Sequence, residues 1–143
     1  MSPNLFKGGD GVSALTVAQQ RAKTFMQNKA AGKAFEDTQF KAFAAKYSDA
    51  QTQVTIKVKM PDGSTLNTRV DAIGYDGGGN LVIREFKASD TAPLTKNQLA
   101  TFDPLILNNG GVVTGKGKGL FPGGFVIPPI DIVVIRPSNL GAL

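Results

Sequence analysis

From residue 54 to residue 60 the apolar side chains recur at every second position, and two clusters of turn formers divide the stretch that runs on to residue 87. Val54, Ile56, Val58 and Met60 alternate with Thr55, Lys57 and Lys59, the pattern of a strand with one buried face. Pro61-Asp62-Gly63 is a turn, because Pro presets φ and Gly permits φ > 0. A second strand is expected over about 65–73, and Asp76-Gly77-Gly78-Gly79-Asn80 forms a second turn. Leu81–Lys87 is apolar on both faces and reads as a strand central in its sheet. Three strands joined by two tight turns constrain the rest of the chain more than any other feature.

Helical patterns flank this stretch. Residues 1–12 are rich in Gly and Asp and read as a poorly ordered lead-in, with one domain expected over 13–143. From Ser13, Leu15, Ala18, Ala22, Phe25 and Met26 recur at helical spacing, and Ala30-Ala31-Gly32 is expected to end or bend that helix. A second helix is expected over about 33–47, with Phe40, Phe43, Ala44 and Tyr47 along its apolar stripe. Thr95 opens a further helix, with Leu94, Gln98, Phe102 and Leu105 on one side and Pro104 as its kink or end. Short strands are expected at Val112-Val113 and Ile130–Ile135, and Gly115–Gly119 reads as a flexible basic loop. The order is α-α-β-β-β-α-(β)-β, a mixed α/β chain of the α+β kind.

Composition removes most catalytic strategies. The chain has no cysteine and no histidine. Thiolate metal sites, Cys nucleophiles, imidazole bases and Ser–His–Asp hydrolysis are therefore excluded. Its formal net charge of +5 points to an anionic partner. Gly119–Ile135 is the most apolar region, but Pro122, Pro128, Pro129 and several glycines break it, so no membrane span is expected. Residues 1–6 lack the basic-then-apolar layout of a signal peptide.

What remains is carboxylate, lysine and amide chemistry, and one segment concentrates it. In a hairpin centred on Gly78, Asp71 lies opposite Glu85, on the same face, with Cβ atoms about 4.5–5.5 Å apart. Strand periodicity adds Lys87 to that face. Opposed like charges destabilise a strand pair unless compensated. A divalent cation such as Mg²⁺, bound by one or two carboxylates and substrate phosphate oxygens, is the natural compensator. Lys87 can then hold or deprotonate a water and stabilise charge growing on a phosphate. The competing reading is an incidental charge pair on a solvated face.

Two more residues belong to the constellation. Glu36 shares the stripe of Phe40, Phe43 and Tyr47, so its carboxylate faces the sheet and needs a partner; a helix-dipole role in a first turn explains it equally well. Gln98 can position water or phosphate, or it can close a capping box with Thr95. Lys57, Lys59, Lys96, Lys116 and Lys118 are candidates for tracking phosphates, or solvated surface groups.

Asp71, then Glu85-Phe86-Lys87, preceded by a helix with Glu36 and followed by a helix with Gln98, resembles the PD-(D/E)XK nucleases over about residues 33–136. The resemblance implies a restriction-endonuclease-like core, α-β-β-β-α-β, with a central mixed sheet flanked by helices. It implies metal-dependent phosphodiester hydrolysis. Asp71, Glu85 and Glu36 would hold Mg²⁺ or Mn²⁺, Lys87 would activate water, and Gln98 would orient water or phosphate. Val70 stands before Asp71 where the motif's name has Pro. The Gly-rich start and the Lys87–Gln98 segment are also similar to C-terminal toxin domains of polymorphic bacterial toxins. That likeness implies a DNase, ahead of an RNase or tRNase, delivered as part of a larger chain into a competitor's cytoplasm and paired with an immunity protein. A non-catalytic nucleic-acid-binding module is the reading from another class, and the scarcity of aromatics, 8% with no Trp, counts against it.

Overall fold

The computed structural model describes residues 16–143. The expected lead-in, Ser13 and Leu15 lie outside the described residues. The chain divides after Lys33 into two units.

One helix, α1 (Val17–Lys46), runs through the dividing point. It begins with a capping box: Gln19 N–H donates to Thr16 Oγ1 (3.1 Å) and Thr16 N–H to Gln19 Oε1 (2.9 Å). Gly32 does not end it, contrary to the sequence expectation. A lone Gly in a helix interior costs only about 1 kcal/mol against Ala, and helix formers flank it on both sides. The expected stripe of Ala18, Ala22, Phe25 and Met26 is not buried; Phe25 and Met26 keep 65% and 62% of their surface. In its own unit no other described element packs on that part of the helix.

The second unit, Ala34–Leu143, holds the sheet. Its strands are β1 (Ser48–Lys59), β2 (Thr65–Tyr75), β3 (Leu81–Phe86), β4 (Gly111–Val113), β7 (Val126–Ile127) and β8 (Val133–Ile135). Among the described residues their order is β7-β4-β1-β2-β3-β8, with β3–β8 parallel and the other pairs antiparallel. This is a mixed sheet in an α+β unit. The expected loop at Gly115–Gly119 instead contains β5 (Gly117–Lys118), which pairs with β6 (Phe121–Pro122) in a small separate ribbon.

The hairpin register follows from the turn. Asp76 closes an Asx turn by accepting from Gly78 N–H (2.8 Å) and Asn80 N–H (2.9 Å). Tyr75 therefore pairs with Leu81 and Ala72 with Arg84, symmetric about Gly78. Asp71 and Glu85 are the next positions in that register.

Both faces of the sheet are covered within this unit. Val82 and Phe86 pack with Phe43 of α1 and Ile135. Ile83, from the alternate parity, packs with Val54, Ile56 and Val58 against the second helical segment. That segment is α2 (Lys96–Thr101), a π-helical turn at Phe102–Ile106, and α3 (Leu107–Asn109). Pro104 sits inside the π turn, where a missing N–H and a widened ring are tolerated together. Phe43 is fully buried and lies against Gly74, where an added Cβ would come within 3.2 Å of its ring. That contact helps hold α1 on the hairpin that carries Asp71.

Candidate active site

Beside the end of the β2–β3 pairing lies a polar cavity of about 530 Å³. Asp71, Glu85, Lys87 and Gln98 line it, as do Glu36 and Lys96. Five residues proposed from sequence for catalysis, supplied by α1, β2, β3, the residue after β3, and α2, therefore share one cavity.

The centre is Glu85, 4% exposed. Its Oε2 accepts from Gln98 Nε2 at 2.8 Å and lies 3.4 Å from Lys87 Nζ. Its Oε1 is buried with no hydrogen-bond partner among the described residues. Burial first, and then the charge of the neighbouring Asp71, push its carboxyl up to about 8; Gln98 and Lys87 pull the other way without cancelling them. Near pH 7 the group therefore carries a proton. A side-chain hydrogen bond to Asp71 acts in the same raising direction.

Asp71 is held from both neighbouring strands. Phe86 N–H donates to Oδ2 at 2.8 Å, so the side chain takes an acceptor role where the backbone pairing stops. Gln53 Nε2, from β1, donates to Oδ1 at 2.9 Å. Both oxygens are thus fixed, and each keeps a further lone pair.

Of the two readings that sequence left for Gln98, the capping box is present. Its Oε1 accepts from Thr95 N–H at 3.0 Å, and its own N–H donates to Thr95 Oγ1, which completes the capping box. Its Nε2 meanwhile reaches Glu85. The amide has one acceptor and two donors, so the cap orients the donor end toward the carboxylate.

The donor set suits a hard divalent cation: oxygen donors only, two adjacent carboxylates lining a polar cavity, and on one of them a buried oxygen without a partner among the described residues. Asp71 and Glu85 are the candidate ligands. Glu36 lines the same cavity, yet among the described residues no three acidic groups converge closely enough to hold an ion together.

The basic residues separate. Lys96 lines the cavity. Lys57 and Lys59 are exposed on β1, two and four residues beyond Thr55, a cavity residue, and so on its face of the strand. Lys118 Nζ donates to Thr52 O at 2.7 Å, and neither it nor Lys116 lines the cavity. Two residues that sequence reading passed over belong to the site. Arg69 lines the cavity and pairs with Thr55; its signal was available, since it precedes Asp71 by one strand period. Gln53 had one as well: the register about the first turn, with Thr52 opposite Ala72 and Val54 opposite Val70, sets it across from Asp71.

No family model matches the chain, no curated protein matches it, and no solved structure matches it.

Proposed function

We propose that this chain is a metal-dependent nuclease on a restriction-endonuclease-like core, hydrolysing phosphodiester bonds, with DNA ahead of RNA as substrate. The observation that supports it is the convergence of Asp71, Glu85, Lys87 and Gln98 on one cavity, with Gln98 and Lys87 both at Glu85 Oε2. A buried acid pair is costly to maintain, and structure alone does not require one there.

Each side chain has a task in this reading. Asp71 and Glu85 would hold Mg²⁺, which when bound neutralises phosphate charge and makes water more acidic. Gln98 keeps Glu85 Oε2 turned toward Lys87. Lys87 presents an ammonium 3.4 Å from that oxygen, where it can orient the attacking water and stabilise negative charge that grows on the phosphate. Gln98 and Phe86 N–H hold the two carboxylates by different partners, so each can stay in place when the other changes protonation. The proposal carries with it the toxin setting and the immunity partner that the sequence resemblance implies.

Supercoiled plasmid and total RNA, each incubated with Mg²⁺ and with EDTA, test the reading. Plasmid nicking that EDTA abolishes is expected. Cleavage of RNA alone would move the substrate to RNA, and salt-sensitive binding without cleavage in Mg²⁺ or Mn²⁺ would overturn the enzyme.

The outer face of the β1–β2 hairpin leads away from the cavity. Thr55, Lys57 and Lys59 stand opposite Arg69, Asn67 and Thr65 along it. Phosphate contacts there would contribute affinity and no chemistry. The double variant Lys57→Gln/Lys59→Gln is expected to lower the slope of log K against log salt by about 2, at about 0.9 per contact on duplex DNA. The cleavage rate at saturating DNA should stay unchanged. A slope equal to that of the wild type would remove these lysines from the substrate path.

A further inference from the structure

Gln53 adopts a backbone conformation that its strand does not require. Its φ is 57°, in the left-handed region that residues with a Cβ disfavour. The usual reason for such a residue in a strand is a bulge, where an extra residue shifts the pairing. No shift occurs here. Thr52 pairs with Ala72 and Val54 with Val70, so the register is the same on both sides of Gln53. The irregularity of this strand pair lies earlier, between Ser48 and Gln51.

The conformation is instead tied to the cavity. Gln53 lines it and donates its amide to Asp71 Oδ1 at 2.9 Å. The preceding carbonyl, Thr52 O, is anchored by Lys118 Nζ at 2.7 Å. A strained residue persists only when its surroundings over-determine it. Here one contact fixes the peptide before Gln53 and another fixes the side chain after it.

We infer that Gln53 is a positioning residue for the Asp71 carboxylate, held in left-handed geometry by Lys118 so that its amide meets Oδ1. The inference rests on the nuclease reading for the task of Asp71. Phe86 N–H fixes Oδ2 but leaves the carboxylate free to pivot about that bond. Gln53 supplies the second point, and two points define the carboxylate plane. A neutral amide does this without cancelling the charge that a cation requires. Partners of this kind behind a ligating carboxylate are worth about 10–100-fold in metal affinity or activity.

The test uses the full chain, with Gln53→Gly as the main variant. Glycine accepts φ > 0 freely, so the backbone is relieved while the amide is lost. If Gln53 merely shaped the strand, Gln53→Gly would bind Mn²⁺ and cleave plasmid as the wild type does, and the inference would be overturned. The expected result is a folded protein by circular dichroism with Mn²⁺ affinity, measured calorimetrically without substrate, lowered about 10–100-fold. The kcat for plasmid should fall by a similar factor, with KM little changed. Gln53→Asn keeps an amide and tolerates left-handed φ, but is one methylene shorter; it is expected between glycine and wild type, and carries the comparison should the glycine variant not fold. A wild-type chain that neither binds Mn²⁺ nor cleaves overturns the nuclease reading and this inference together. A wild type that does both, beside a Gln53→Gly variant that matches it, overturns the inference alone.

Discussion

Glu85→Gln is expected to lower cleavage by about a thousandfold or more while leaving the fold intact, and Lys87→Ala to lower it by about 10²–10⁴. The glutamine has the shape of the carboxyl it replaces and keeps an oxygen for Gln98 Nε2, 2.8 Å away in the wild type. What it cannot do is shed a proton to present an anionic oxygen. It also removes the like-charge conflict with Asp71 that helps raise the Glu85 carboxyl. The melting temperature of Glu85→Gln should therefore hold or rise as activity disappears, the trade expected of a site built against stability. Lys87→Ala takes the ammonium from beside Oε2, 3.4 Å away. An orphaned buried charge would ordinarily cost several kcal/mol. Glu85 avoids that by keeping its proton, so this variant too should stay folded. Full cleavage by purified Lys87→Ala protein would remove lysine from the chemistry.

The hairpin that carries the site was legible because turn chemistry sets register. Asp76 and the glycines after it centre the pairing on Gly78, and strand parity then brings Asp71, Glu85 and Lys87 to one place. For Gln98 the cap was legible, whereas its bond to Glu85 belonged to neither reading, since sequence does not reveal that one amide can serve a cap and a carboxylate at once. The place of Gln53 across from Asp71 follows from the first turn in the same way, but its conformation was not legible. Left-handed φ is readable where glycine stands, but here it is imposed on a glutamine by tertiary contacts with Lys118 and Asp71. The first strand was underestimated for a related reason. Residues 48–53 are polar apart from Ala50, without the alternation that marks 54–59, yet they pair with β2 from Tyr75 onward. Gly32 erred in the other direction: a glycine with nothing within 4 Å of its missing Cβ marks no close approach and no turn, and α1 runs through it. Local chemistry therefore wrote the turns and the register, while the partners that hold the acids arrived from strands and loops far along the chain.

The protein should lose stability as pH rises from about 4.5 toward 8, and a divalent cation should reverse that loss. In the unfolded chain the Glu85 carboxyl ionises near its ordinary value of 4.5, whereas burial and Asp71 hold it near 8 in the native state. Below 4.5 both states carry the proton and the contribution is fully present. Between the two values the unfolded state releases a proton that the native state keeps, so stability falls by on the order of 1 kcal/mol per pH unit, and it levels off above about 8. Asp62 and Asp76 act in the opposite sense and at lower pH. Hydrogen bonds from Ser64 and Asn80 hold them below the ordinary carboxylate range, so their contributions fade only on acidification. Thermal melts from pH 5 to 8.5 should therefore show a decline that Glu85→Gln largely removes. A cation ligated by Glu85 must displace the same proton. Its affinity should rise close to tenfold per pH unit below 8 and flatten above. Mn²⁺ titrations at pH 6, 7 and 8 read that slope directly, and the melting temperature should respond more to Mn²⁺ at pH 8 than at pH 6. Affinity unchanged across those three values would mean that no proton leaves when the ion binds. Glu85 would then lie outside the ligand set, and the acid pair would have to serve the substrate in another way.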